Sequence, residues 1–249
     1  DVPAPTARLF GAKAGINVKT IVGMKHYTFA MNTGLAPYDN SDLRMAMKYA
    51  FDREDVLKRV HHGYGSLGND HPISEAQRYH NGDLPQRAYD PDKARYHLKK
   101  AGLESATFEL SGSDGLYPGC MDTIMLFKEH AAAAGINIKP NRTPSDGYWS
   151  NVWMKHPFCA SYWSGRPTED WMFSQAYAAD AKWNETFWSN EKFNTLLKEA
   201  RTELDDDKRR DMYIEMQRLL SDEGGTVIPV FNDQIMALNK RVQYNYPLK

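Results

Sequence analysis

The chain has only two cysteines in 249 residues, which excludes a disulfide scaffold and a multi-cysteine zinc site. Cys120 and Cys159 form either one bridge or two buried thiols, and sequence does not fix the distance between them. Charge of one sign is also lacking, with 31 Lys and Arg against 32 Asp and Glu. A duplex binder needs a cationic surplus and an anionic membrane attracts a polybasic run, so neither nucleic acid nor membrane is an expected partner. No stretch approaches the roughly 20 apolar residues of a membrane span. The start, Asp1-Val2-Pro3-Ala4-Pro5, has no basic residue and no apolar run. It reads as no signal peptide and leaves the chain cytoplasmic, mature or cut from something longer.

Catalytic signatures are scarce. There is no Gly-x-Ser-x-Gly, no His-Glu-x-x-His and no Cys–His signature. Glu169 and Asp170 are sequence neighbours and fall on different sides of a helix, a poor acid/base pair. The glycines of Gly63-Tyr64-Gly65-Ser66-Leu67-Gly68 are not followed by the Lys of a phosphate loop. His61, His62, His71 and His80 invite a metal reading, but His61 and His62 are adjacent and diverge on a helix. They are expected to be surface histidines, with no metal and no cofactor. Asp205-Asp206-Asp207 lacks the Gly and distal Glu of a calcium loop and favours a helix N-terminus instead.

What is present is a globular composition, 41% apolar and 25% charged, with six Trp and fourteen Tyr. Tyr27, Phe29 and Met31 alternate with smaller residues and predict a strand. Leu43, Ala46, Met47, Ala50 and Phe51 share one helical face. Asp52 is placed to cap a second helix, while residues 69–89, with Pro72 and Pro85, read as a long irregular excursion. Asp90, Pro91 and Gly102 punctuate another helix. A strand from Thr107, a helix over Met121–Ala134 and a strand from Ile136 make a βαβ unit with a parallel pair. Phe158 to Trp163 reads as a central strand, and Asn190 and Asp205 start two more helices. Thr226 to Phe231 reads as an edge strand because Pro229 lacks a donor.

The order of these pieces carries a resemblance. Met31-Asn32 before Pro37-Tyr38-Asp39, followed by Leu43-Arg44-Met45-Ala46-Met47-Lys48-Tyr49-Ala50-Phe51-Asp52-Arg53-Glu54, resembles a run in the family 5 extracellular solute-binding proteins of ABC importers. Tyr89-Asp90-Pro91-Asp92-Lys93-Ala94 to Ala101-Gly102, Arg209 to Gln217 and Ile228-Pro229-Val230 are similar to later motifs of the same family. Each motif alone is weak, and four in order are specific.

The resemblance implies an α/β fold, the second lobe of a two-lobe periplasmic-binding-protein (type II) architecture, with a mixed sheet flanked by helices. Family members are about twice this long, so the chain reads as their distal half. Residues 1–26 are then strands of a hinge stub belonging to lobe one, 27–231 are lobe two, and 232–249 return through the hinge. The implied activity is capture of a peptide-like or other small polar, carboxylate-bearing solute by a monomer in the periplasm, delivered to an ABC permease and ATPase complex. A ligand sensor using the same lobe, and more remotely a hydrolase, are the rival readings.

Site residues follow from both routes. Tyr162-Trp163-Ser164-Gly165-Arg166 lies at a strand's carboxyl end, where open α/β sheets bind ligands. By resemblance Trp163 occupies the place of a family Trp, and Arg166 that of an Asp which holds a peptide's α-ammonium. A guanidinium reverses that sign and favours an anion. Alternatively Arg166 pairs with Glu169 or Asp170 and only shapes the loop. Trp149 and Trp153 share a helical face, and Trp149 matches a family pocket aromatic or else is core. Tyr64, Asn69 and His71 lie on a loop that runs along the cleft in the family, and complete the expected ligand-binding set with Ser164 and Gly165.

Overall fold

The computed structural model describes residues 2–242. Helix α1 (Ala4–Gly11) leads into strand β1 (Ile16–Met31), followed by α2 (Ser41–Tyr49), α3 (Arg53–Arg59) and the short β2 (Ser66–Leu67). After the irregular excursion come α4 (Pro91–Lys100), β3 (Thr107–Gly112), α5 (Cys120–Ala132) and β4 (Asn137–Arg142). Next are α6 (Tyr148–Asn151), β5 (Phe158–Trp163), α7 (Glu169–Ala176), α8 (Glu191–Ala200), α9 (Asp206–Glu223), β6 (Thr226–Val227) and β7 (Val230–Asn239). Short polar side chains start most helices. Asn40, Asp52, Asp90, Thr168, Asn190 and Asp205 each accept backbone N–H groups of the following first turn.

Among the described residues one mixed sheet runs β2-β7-β1-β5-β3-β4, with β6 also pairing β1. The βαβ unit is parallel, with Thr107 opposite Asn137 and Gly112 opposite Arg142. Strand β5 joins it to β1 and pairs antiparallel with β1, placing His26 opposite Trp163. One core cluster packs Phe29, Phe51, Phe127 and Phe158 between the sheet and its flanking helices. A second gathers Phe173, Phe193, Met216 and Trp163 with α7, α8 and α9. Apolar burial of this extent is the main stabilising term.

The motif around α2 is a frame for the end of α9. Lys48 donates to the carbonyls of Leu220 and Ser221 at 3.2 and 2.8 Å. Arg44 donates to the carbonyl of Glu223 at 2.9 Å and to that of Tyr38 at 2.8 Å. Both cations thus meet carbonyls of the last turn of α9, at the negative end of its dipole. Arg53 forks onto the buried Asp70 carboxylate at 2.6 and 2.7 Å.

Three expectations need correction, and one alternative left open is decided. The stretch 226–231 divides into β6 and β7 around Pro229, which cannot donate to a ladder, and β7 lies inside the sheet between β2 and β1. Residues 1–26 open with helix α1, started by Pro3 and a proline in its first turn, before β1 begins and runs past residue 26. His61 and His71 are buried. Cys120 and Cys159 are free buried thiols. Burial pushes the Cys120 thiol up to about 11 and that of Cys159 up to about 12. The end of the expected hinge return, residues 243–249, lies outside the described residues.

Candidate functional site

A cavity of about 690 Å³ opens along the middle of β1, at the point where β5 ends. Tyr27 of β1 and His61, which stack on one another, line its wall, and Tyr117 backs Tyr27 from the core. Tyr117 lies 3.7 Å from the Tyr27 ring and His61, just past α3, lies 5.4 Å from it, both near parallel. Asn232 of β7 donates to the Tyr27 hydroxyl. Two polar atoms of this wall, His61 Nε2 and Asn232 Oδ1, are buried without a hydrogen-bond partner. Burial holds the His61 imidazole down at about 4, so it is neutral at pH 7.

The cavity mouth is set by a close approach of two strands. Gly165 has φ +78°, and a Cβ there would stand 2.4 Å from Met24 Cβ. Only glycine lets the turn after β5 close onto β1 at this point. That contact brings Ser164 and Lys25 to the same cavity. The Lys25 ammonium stands 5.8 Å from the Tyr27 ring centre and 5.1 Å from that of Tyr162. Burial lowers its pKa.

The expected site residues are distributed over several places. Tyr64 and Ser164 line the cavity, and Gly165 shapes its mouth. Trp149 is 46% exposed and meets Trp153 and Tyr162 edge-on at 5.6 Å each. Trp163 is 6% exposed and packs in the second core cluster. Its indole N–H donates to Glu185 at 3.2 Å. Arg166 lies over the rings of Trp163 and Trp171, donates through Nε to Gln175 and reaches the Gly165 carbonyl at 2.6 Å. The alternative pairing of Arg166 is not formed: Glu169 accepts the Tyr79 N–H at 2.7 Å and Asp170 pairs with Arg201 at 2.7 Å.

Asn69 and His71 stand apart from Tyr64. The Asn69 amide is spent on its own loop, donating to the Pro85 carbonyl at 3.1 Å and accepting the Arg87 N–H at 2.9 Å. His71 is buried beside a separate cavity of about 440 Å³ that His80 and Glu75 also line. Burial depresses His71 to about 3. Among the described residues no group of three His, Cys, Asp or Glu is arranged to hold a metal ion.

Sequence reasoning missed Lys25, His61 and Asn232 as cavity residues, and Glu185 as an anchor. The alternation of β1 was a usable signal for Lys25, since it shares a strand face with Tyr27. Glu185 receives Thr28 at 2.8 Å, Trp153 at 2.6 Å and Trp163 at 3.2 Å. It thereby ties β1, the turn after α6 and the end of β5 into one unit behind the cavity.

A model of the bacterial extracellular solute-binding proteins, family 5 Middle, matches residues 1–185. The chain is similar to the dipeptide-binding protein of Escherichia coli, with 24% identity over 257 residues, covering 97% of this chain and 46% of that one. It is also similar to the dipeptide-binding protein DppE of Bacillus subtilis, 23% identical over 97% of this chain and 46% of that one. Its fold matches the periplasmic binding protein DppA of Helicobacter pylori in complex with a peptide. There the TM-score is 0.86 at 18% identity, over 98% of this chain and 48% of that one. NikZ of Campylobacter jejuni, in complex with Ni(L-His), has a TM-score of 0.82 at 17% identity, over 96% and 51% of the two chains. The chain thus spans about half the length of the curated relatives it matches.

Proposed function

The chain belongs to the bacterial extracellular solute-binding proteins of family 5, and on that premise we propose that it forms one jaw of a two-lobe receptor for an ABC importer. The solute is a peptide-like or other small polar molecule carrying a carboxylate. It is held by a monomer outside the cytoplasmic membrane and passed to a permease and ATPase complex. Residues 27–231 act as the ligand-binding lobe, while 1–26 and 232–249 lead toward the other lobe. The relatives' names, which include dipeptide-binding proteins, support a peptide-like cargo.

The observation that carries this reading is the cavity between the middle of β1 and the end of β5. It combines a stacked aromatic wall, unpartnered neutral polar atoms and an ammonium beside Ser164 and Tyr64. Such a surface binds and orients a polar solute, and closure of an opposite lobe excludes water and strengthens each contact. The family is one of solute-binding proteins, and capture without chemistry is the fitting activity. Trp149 and Arg166 serve as outer contacts at the rim, and Trp163 acts from behind through the ring that Arg166 covers. Asn69 and His71 lie on the loop that follows β2, which Asn69 ties to Pro85 and Arg87.

The test is mass spectrometry of what co-purifies with the full receptor under native conditions, followed by calorimetry with the released compounds. A small carboxylate-bearing solute bound one to one is expected. A receptor that binds no small solute, or that turns one over, overturns the proposal.

A further inference from the structure

The sequence directs attention to Arg166 as the group that would meet an anionic solute. The geometry points elsewhere: we propose that Lys25 is the residue that binds the solute's carboxylate, at the wall of the cavity beside Ser164. This rests on the solute-receptor reading above and goes beyond it by assigning the charge contact.

Three observations carry the assignment. First, Lys25 lines the cavity and Arg166 does not. Second, the Arg166 guanidinium is already engaged, by Gln175, by the Gly165 carbonyl and by two indole faces. Third, among the described residues the Lys25 ammonium meets only the faces of Tyr27 and Tyr162, with no carboxylate and no hydrogen-bond acceptor. Aromatic faces stabilise a cation only in part. A half-buried ammonium without an anion is therefore under-compensated, and its lowered pKa has burial as its sole cause. An arriving carboxylate supplies what is missing, in a site where the Coulomb interaction is less screened than in water.

The other charges around the cavity do not take this role. Arg59 is paired with Asp55 at 3.1 Å and reaches Glu129 at 4.0 Å. Asp122, Glu129 and Asp233 also line the cavity and repel an anion placed near them. They leave the corner between Lys25 and Ser164 as the position a carboxylate occupies. Lys25 stands at the foot of the ladder that pairs His26 with Trp163, so strand pairing fixes its backbone rather than a loop.

The test uses two probes on the full-length receptor, the dipeptide Ala-Ala and its C-terminal amide, measured by calorimetry. The wild type is expected to bind Ala-Ala roughly 10- to 100-fold more tightly, the range of a charge-assisted contact. In Lys25→Met the two affinities converge, with the amide changed by less than about twofold, because methionine keeps the apolar stem in place. Lys25→Arg restores most of the gap. In Arg166→Met the gap persists even where both probes weaken together. A gap that survives Lys25→Met, or that collapses in Arg166→Met, overturns the assignment and leaves the receptor reading standing. Binding of both probes with no gap in the wild type does the same. If neither probe binds the wild type, the peptide-like reading falls and the Lys25 assignment falls with it.

Discussion

The carboxylate of Glu185 receives the indole N–H of Trp163 at 3.2 Å, which turns toward the core the tryptophan that the sequence marks for solute contact. The same carboxylate takes Thr28 at 2.8 Å and Trp153 at 2.6 Å, so one buried acid spans three elements. The cavity wall is therefore backed by a polar anchor, and Trp163 sets the shelf on which Arg166 lies.

Glu185→Gln tests that anchor. An amide nitrogen cannot accept an indole N–H, so at least one donor loses its partner in a site closed to water. The variant is expected to lose about 2–3 kcal/mol of unfolding free energy in urea, with tryptophan emission shifted to the red. Unchanged stability together with unchanged emission means that the carboxylate is not holding the indoles.

Local signals made most of the frame legible. Asp90, Pro91 and Gly102 bound a helix through contacts within a few residues, and the βαβ spacing dictates a parallel pair whatever surrounds it. The apolar face of α2 was equally plain, since Leu43, Ala46 and Met47 are all fully buried. The cations between them were not. Lys48 and Arg44 sit on a helix that looks half solvated, and the arrival of the α9 C-terminus some 170 residues later gives Lys48 its acceptors and adds the Glu223 carbonyl to the local ones of Arg44. Glu185 was hidden for the same reason. Its loop has no periodicity, and its partner Thr28 is 157 residues away. The site splits along this line too. Tyr64 and Ser164 end elements whose boundaries are readable, whereas the placement of Asn69 and His71 depends on how an irregular loop folds back on Pro85 and Arg87.

Acid should loosen the lobe in a defined window. Burial depresses His26 to about 4, His61 to about 4 and His71 to about 3 from an ordinary value near 6.5. As pH falls through 6.5 the unfolded chain takes up these protons first. The stability contributed by keeping the rings neutral is complete above that pH and is lost progressively toward 4. Each ring accounts for up to about 3–5 kcal/mol at the foot of the window. Urea midpoints measured between pH 7 and 4.5 are expected to fall steeply. His71→Gln, which keeps a neutral hydrogen-bonding group, should make that fall shallower. An equal slope in the variant removes His71 from the account.

Lys48 gives a slope of the same sign in a different window. Burial lowers its pKa from 10.5 to about 7, and two carbonyls rather than a carboxylate receive its ammonium. Between those two values the unfolded chain binds a proton that the folded chain gives up. Stability therefore rises with pH from about 7 upward. The raised thiols of Cys120 and Cys159 act in the opposite sense, because above about 9 the unfolded thiols ionise while the folded ones do not. The Lys48 contribution is thus cleanest between pH 7 and 9, where it amounts to about 2–3 kcal/mol. Lys48→Met removes the titrating group and keeps the stem packed beneath α9. Its stability relative to wild type should fall by that amount as pH rises from 7 to 9. A constant difference across the window means that the lysine holds its proton in the folded state, and that the carbonyls of Leu220 and Ser221 compensate its burial in full.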